Sequence, residues 1–408
     1  MSRSTARPPR ARDPYGVGPL GTWLAPGLSI VGLLLIALVT LSLLNGEVPF
    51  VGGGGGAGAV NGGNGTTRTP APSNVVIAEP EVAFPGSIVY AKAGNIWVQS
   101  GDDVRQVTEG GRDSMPSFSP DGASIYFIRS RDEVGVWPAQ GDDRRYQMTI
   151  PSVMRIPADG GKVERVLDGR VRKSGKTWFS WIRQPVLAPD GQTLTMVSDG
   201  PDPTKSDVVL QFYDLESKER TIPDVSEIKP LGHQDPVWRK DGRILLYVRN
   251  GREGARGAPI IFRWDQRQGR SNPLTGPGYL NPSFSPDGKY IAATKTSSFG
   301  NDIVVLEASK GREVARITDD GRSWAPVWSP AGDAIAFLNI DGQIVDLRMA
   351  SLEGTAPDWT VKEITNLTEV SGLDGASRPA WYIPADQMPA TPVPTAAPSA
   401  SAGASVAP

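Results

Sequence analysis

The 408-residue chain has no cysteine and a single histidine, His233. Without cysteine there is no disulfide framework, no thiolate nucleophile, no cysteine-based zinc or iron–sulfur centre and no lipid-modified N-terminal cysteine. One imidazole excludes every metal site that needs two, so neither a metal nor a cofactor is expected. A dominant charge is missing too: 42 Lys and Arg stand against 44 Asp and Glu, a net charge of −2 that argues against a nucleic-acid partner. Glycine and proline are plentiful, 47 and 37 residues, which suits a folded core with many turns.

Long apolar runs are scarce, with one exception. Trp23 to Leu44 carries no charged side chain, and 22 residues at about 1.5 Å each span a bilayer core. Arg3, Arg7, Arg10 and Arg12 precede it, and the next basic residue is Arg68, so the N-terminus is expected in the cytoplasm. Residues 1–22 then form a basic cytoplasmic segment and 23–45 a single transmembrane helix. A cleaved signal would need its small-residue site close behind the apolar run. Ala57-Gly58-Ala59 lies well beyond it, so an anchor is favoured. Residues 46–85, with Gly52 to Gly56 in a row, read as a flexible linker, and 387–408 as a Pro/Ala/Ser tail. What remains, 86–386, is expected outside the membrane.

That region repeats one phrase. PSFSPDG (Pro116 to Gly122), PVLAPDG (Pro185 to Gly191), PVWRKDG (Pro236 to Gly242), PSFSPDG (Pro282 to Gly288), PVWSPAG (Pro326 to Gly332) and the worn PAWYIPAD (Pro379 to Asp386) give six copies. Their prolines are 69, 51, 46, 44 and 53 residues apart, the range of propeller blades. In each copy a large apolar residue ends a short strand and Pro-Asp-Gly turns the chain. A second strand follows by alternation, as in Ile125/Phe127, Leu194/Met196, Leu245/Tyr247, Ile291/Ala293 and Ile335/Phe337, a period of two that puts each pair on one face. Third strands are expected at Asn95 to Val98, Val209 to Asp214, Ile260 to Asp265 and Asp302 to Glu307. The region opens with what read as second, third and fourth strands and closes with a first strand, so its two ends complete one blade. The expected fold is therefore all-β: a six-bladed propeller of four-stranded antiparallel blades, closed by a split blade and preceded by one transmembrane helix.

The Pro-x-aromatic-Ser-Pro-Asp-Gly phrase, its alternating strand and the closing Val/Ile-Thr resemble the WD40-like repeats of TolB-type propellers, which also build the propellers of prolyl oligopeptidases. The resemblance implies the fold. It implies no task, because propellers host unrelated activities and nothing in the flanking segments reads as the α/β domain of TolB or as a hydrolase domain.

Motifs for chemistry are few. The aspartates of the repeated phrase are explained as turn residues. Gly169 to Thr177, GRVRKSGKT, misses a phosphate-binding loop because Arg170 stands where glycine is required, and it reads as a solvated basic loop. No GxSxG elbow is present. The loops that lead from each fourth strand into the next first strand converge on one mouth of a propeller channel, and they nominate a ligand-binding rim: Arg112, Asp113, Arg183, Gln184, His233, Asp235, Tyr279, Asn281, Arg322, Trp324 and Arg378. Arg170, Arg172, Lys173, Lys176 and Trp178 extend it. The expected function is a membrane-anchored extracytoplasmic module that binds a protein, peptide or envelope glycan of a bacterial cell. The alternative is a propeller enzyme, a lyase or hydrolase acting on an envelope polysaccharide or peptide, with no catalytic residues identified.

Overall fold

A computed structural model of the chain describes residues 84–136, 145–173, 176–200, 208–225, 232–250 and 257–388. The apolar run Trp23 to Leu44, most of the linker and nearly all of the tail lie outside them. Among the described residues no helix is long and apolar enough to cross a membrane.

Six four-stranded sheets form, each ordered from its first strand outward. Blade 1 comprises Asp113–Phe118, Ser124–Val136, Arg145–Pro157 and Glu164–Asp168. Blade 2 comprises Ile182–Leu187, Thr193–Ser198, Val209–Asp214 and Arg220–Thr221, and blade 3 His233–Trp238, Ile244–Asn250, Pro259–Asp265 and Arg270–Pro273. Blade 4 holds Tyr279–Phe284, Tyr290–Ser297, Gly300–Glu307 and Glu313–Arg316, and blade 5 Ser323–Trp328, Ala334–Asp341, Ile344–Glu353 and Thr360–Asn366. Blade 6 is the split one. Ala380–Tyr382 supplies its first strand, and Ser87–Lys92, Asn95–Ser100 and Asp103–Gln106 supply the rest. A small hairpin, Arg170–Lys173 with Lys176–Phe179, is inserted between blades 1 and 2. The six first strands touch one another in a closed ring, which places them around the axis.

The core is a set of interfaces between blades, and the alternation of the second strands explains why. In blade 1, Ile125 and Phe127 pack against Val89, Ile96 and Val98 of blade 6. The residues between and beyond them, Tyr126 and Ile128, pack the other way onto Leu194 and Met196 of blade 2. Both faces of the strand are therefore buried, although period-two alternation normally buries one. The apolar pairs lie on one face, as expected, but the opposite face is also core because each blade is stacked on both sides.

Closure joins residues almost three hundred positions apart. Ile88 pairs with Trp381, whose indole Nε1–H donates to the Pro85 carbonyl at 2.9 Å. Phe84 meets the Trp381 ring edge-on at 5.6 Å. Tyr382 lies on the turn of blade 1, where Gly122 has φ +70° and a Cβ would stand 2.1 Å from the phenol ring. That turn therefore needs glycine for its conformation and for the neighbour packed on it.

Candidate functional site

Five of the first strands share an irregularity. Their pairing with the second strand slips between Ser114 and Ser117, Arg183 and Val186, Gln234 and Val237, Leu280 and Ser283, and Trp324 and Val327. At each bulge the residue before the proline adopts positive φ: Met115, Gln184, Asp235, Asn281 and Ala325, all near +50°. Left-handed backbone costs a non-glycine residue about 1–2 kcal/mol. Bonds between blades offset that cost.

At four of the bulges the backbone N–H donates to a side-chain oxygen of the preceding blade. Met115 N–H reaches Ser377 Oγ at 2.9 Å, and Asp235 N–H reaches Gln184 Oε1 at 2.8 Å. Asn281 N–H reaches Asp235 Oδ2 at 3.1 Å, and Ala325 N–H reaches Thr294 Oγ1 at 3.0 Å. Side chains complete the chain of bonds. Gln184 Nε2 donates to Asp235 Oδ1 at 2.7 Å, Asn281 Nδ2 to Asp235 Oδ2 at 2.9 Å, and Thr294 Oγ1–H to Asn281 Oδ1 at 3.1 Å. Asp235 and Asn281 are buried, so this network stands in a low-dielectric setting where each bond matters more.

Arg378, the corresponding residue of blade 6, stands two residues before the closing strand. It donates to the Pro282 carbonyl of blade 4 at 2.6 Å, and its Nε has no acceptor among the described residues. The residue is half-buried, and its Nε is enclosed. Burial lowers its pKa from the ordinary arginine value, while the Asp235 charge acts in the opposite direction.

The eleven rim residues nominated from sequence are sorted by their distance from the repeat proline. Those one residue before it, Gln184, Asp235, Asn281 and Arg378, come together at the axis. Those three before it begin the first strands: Asp113 takes both ends of the Arg129 guanidinium at 2.6 and 2.7 Å, and His233 accepts from Leu210 N–H at 3.1 Å and lies against Tyr247. Tyr279 sits beneath the Lys295 ammonium, 5.8 Å from its ring centre. Trp324 is half-buried and donates to the Gly375 carbonyl at 2.9 Å. Arg112, Arg183 and Arg322 are exposed at the rim, where Arg112 pairs with Asp132 at 2.6 Å and Arg322 stands 3.5 Å from Asp341. Arg170 bonds Glu133 and holds its carboxyl below the usual range. Among the described residues no group of three His, Cys, Asp or Glu is placed to hold a metal.

Residues missed from sequence lie on the same face. Trp181, Ile222 and Val370 are exposed large apolar side chains on the loops that join fourth to first strands, Phe299, 92% exposed, lies on the turn between the second and third strands of blade 4, and exposed Val134 lies near the end of the second strand of blade 1. Trp181 and Phe299 flank turns without periodicity, so composition alone does not separate them from core aromatics.

No family model matches the chain. A putative TolB from Agrobacterium tumefaciens superposes with a TM-score of 0.52 and 17% identity, over 74% of this chain and 95% of that one. TolB from Acinetobacter baumannii gives 0.51 and 17%, over 72% and 66% respectively. An uncharacterised protein of Agrobacterium fabrum is 28% identical over 162 residues, 37% of this chain and 45% of that protein. The chain thus spans less than half of that curated relative and just under two thirds of the Acinetobacter structure. What it shares with the TolB proteins is their six-bladed propeller fold.

Proposed function

We propose that this propeller is a binding module that docks a protein or peptide partner on the face formed by the fourth-to-first-strand loops. The observation that carries the reading is that Val134, Trp181, Ile222, Phe299 and Val370, five of nine exposed large apolar residues among those described, lie toward that end of the blades. Exposed apolar groups with a polar centre are the composition of a protein-recognition surface. Gln184, Asp235 and Asn281 are committed to one another, which suits recognition by shape and hydrogen bonding more than proton transfer. The partner is extracytoplasmic, because Arg3 to Arg12 before the Trp23 to Leu44 run favour an anchor with its N-terminus inside.

Capture from an envelope extract, with the full chain in non-ionic detergent, tests the docking face. Trp181→Ser with Phe299→Ser should keep the melting temperature and lose the partner, since both side chains already face solvent. Undiminished recovery by the folded double variant would move the interface elsewhere. Protease added outside intact spheroplasts should degrade the propeller, and protection of the propeller would overturn the topology.

A further inference from the structure

The third copy of the repeated phrase departs from the others, and the departure builds a second concavity. Where blades 1 and 4 have Ser-Pro before Asp-Gly, blade 3 has Arg239-Lys240. In blade 4, Ser285 Oγ donates to Asp287 at 2.7 Å and closes its own turn. In blade 3 the Arg239 guanidinium takes that place on Asp241, with bonds of 3.0 and 2.6 Å. Its stem then lies across the next turn, where Gly288 leaves the space: a Cβ there would meet Arg239 Cδ at 2.7 Å.

The result is a groove of about 480 Å³ between blades 3 and 4, on the face opposite the docking loops. Arg239, Arg263, Lys289 and Arg312 line it, against one carboxylate, Glu307. Three of these cations are loosely held. Arg263 stands 3.6 Å from Asp265, which already bonds Arg243 at 3.0 Å. Lys289 is 3.6 Å from Asp287, and Arg312 is 3.5 Å from Glu307. Their donors are therefore available to a ligand. Tyr290 and Pro357 add an apolar wall.

We propose that this groove binds a small phosphate-bearing ligand, its oxygens held by Arg263, Lys289 and Arg312 and its organic part against Tyr290 and Pro357. Guanidinium forks match the oxygens of a phosphate in pairs, and several cations suit a group that carries more than one charge. The volume lies in the range of small-molecule sites and is far larger than one ion requires. The same phosphate chemistry occurs in soluble monoesters and in the diesters of lipid headgroups or envelope polymers.

Calorimetry on the full chain in non-ionic detergent separates the sources, with glycerol 3-phosphate as the monoester, glycerophosphoglycerol as the diester and glycerol as the uncharged control. Saturable binding of either phosphate probe without binding of glycerol is expected, and the tighter probe assigns the source. Arg263→Gln with Arg312→Gln should weaken it by about a hundredfold, roughly tenfold for each charged hydrogen bond lost, while melting and partner capture by the opposite face stay unchanged. Absence of saturable binding to the unaltered protein, or equal affinity in the folded double variant, overturns the proposal.

Discussion

Arg378, just before the strand that closes the ring, bonds the carbonyl of Pro282, two blades away, at 2.6 Å. This bond skips a blade, whereas the other inter-blade bonds at the axis join adjacent blades. The carboxylate that acts on Arg378, Asp235, is already occupied by Gln184 and Asn281. A guanidinium so placed is costly to bury and incompletely paired.

Substituting Arg378→Met therefore separates stability from binding. The lost bond to a charged donor is worth about 1.5–3 kcal/mol, and relief of the buried charge is worth a similar or larger amount. The melting temperature is expected to hold or rise, while partner capture falls. A drop of more than about 5 °C, well over 1 kcal/mol for a domain of this size, would make Arg378 a brace instead.

The blades were legible because their signals are local. The third strand Val209–Asp214 is bounded as its alternation predicts, and the six proline phrases mark six sheets. The axial bulges were not legible. Gln184, Asp235 and Asn281 each precede proline, which favours extended backbone, yet all three have positive φ. Their conformation is decided by bonds to neighbouring blades, and those contacts have no sequence period. The rim nomination consequently mixed Asp113 and His233, which are buried in strand starts, with Gln184 and Asn281, which reach the axis.

Asp235 holds two blades to its own. Its carboxylate accepts from Gln184 Nε2 and from both donors of Asn281. Asp235→Ala orphans those donors and leaves Arg378 without a countercharge, so a loss of about 3–5 kcal/mol in urea unfolding is expected. Adding Arg378→Met should restore part of it, since the two charges act on each other. Strict additivity would show that they do not.

Alkaline stability should depend on Tyr90 in blade 6. The phenol is buried, and desolvation pushes its pKa up to about 12 from 10.0. A raised pKa favours the protonated form in the folded state. The contribution is thus fully present below pH 10 and is lost as pH rises through about 12. Two pH units correspond to about 2–3 kcal/mol. Unfolding free energies at the two ends of that window should converge by this amount in Tyr90→Phe relative to the unaltered chain. An identical slope in both proteins would remove Tyr90 as the cause.

Ring closure rests on Trp381, in a first strand of three residues paired to Ser87–Lys92. Its indole is nearly enclosed, meets Phe84 edge-on and bonds the Pro85 carbonyl. Trp381→Ala removes the largest side chain of that strand and frees the edge it covers, at about 3–5 kcal/mol, against a typical domain stability of about 5–15. The loss should begin locally, because the edge of Ser87–Lys92 becomes unpaired while the interface of blades 3 and 4 keeps all its partners. Hydrogen exchange should accordingly show faster amides at Ile88 and Val89 under conditions that leave Leu246 and Ala293 protected. Uniform acceleration across all blades would mean that the propeller opens as one unit, and an unchanged melting temperature would mean that the split blade does not fasten the ring.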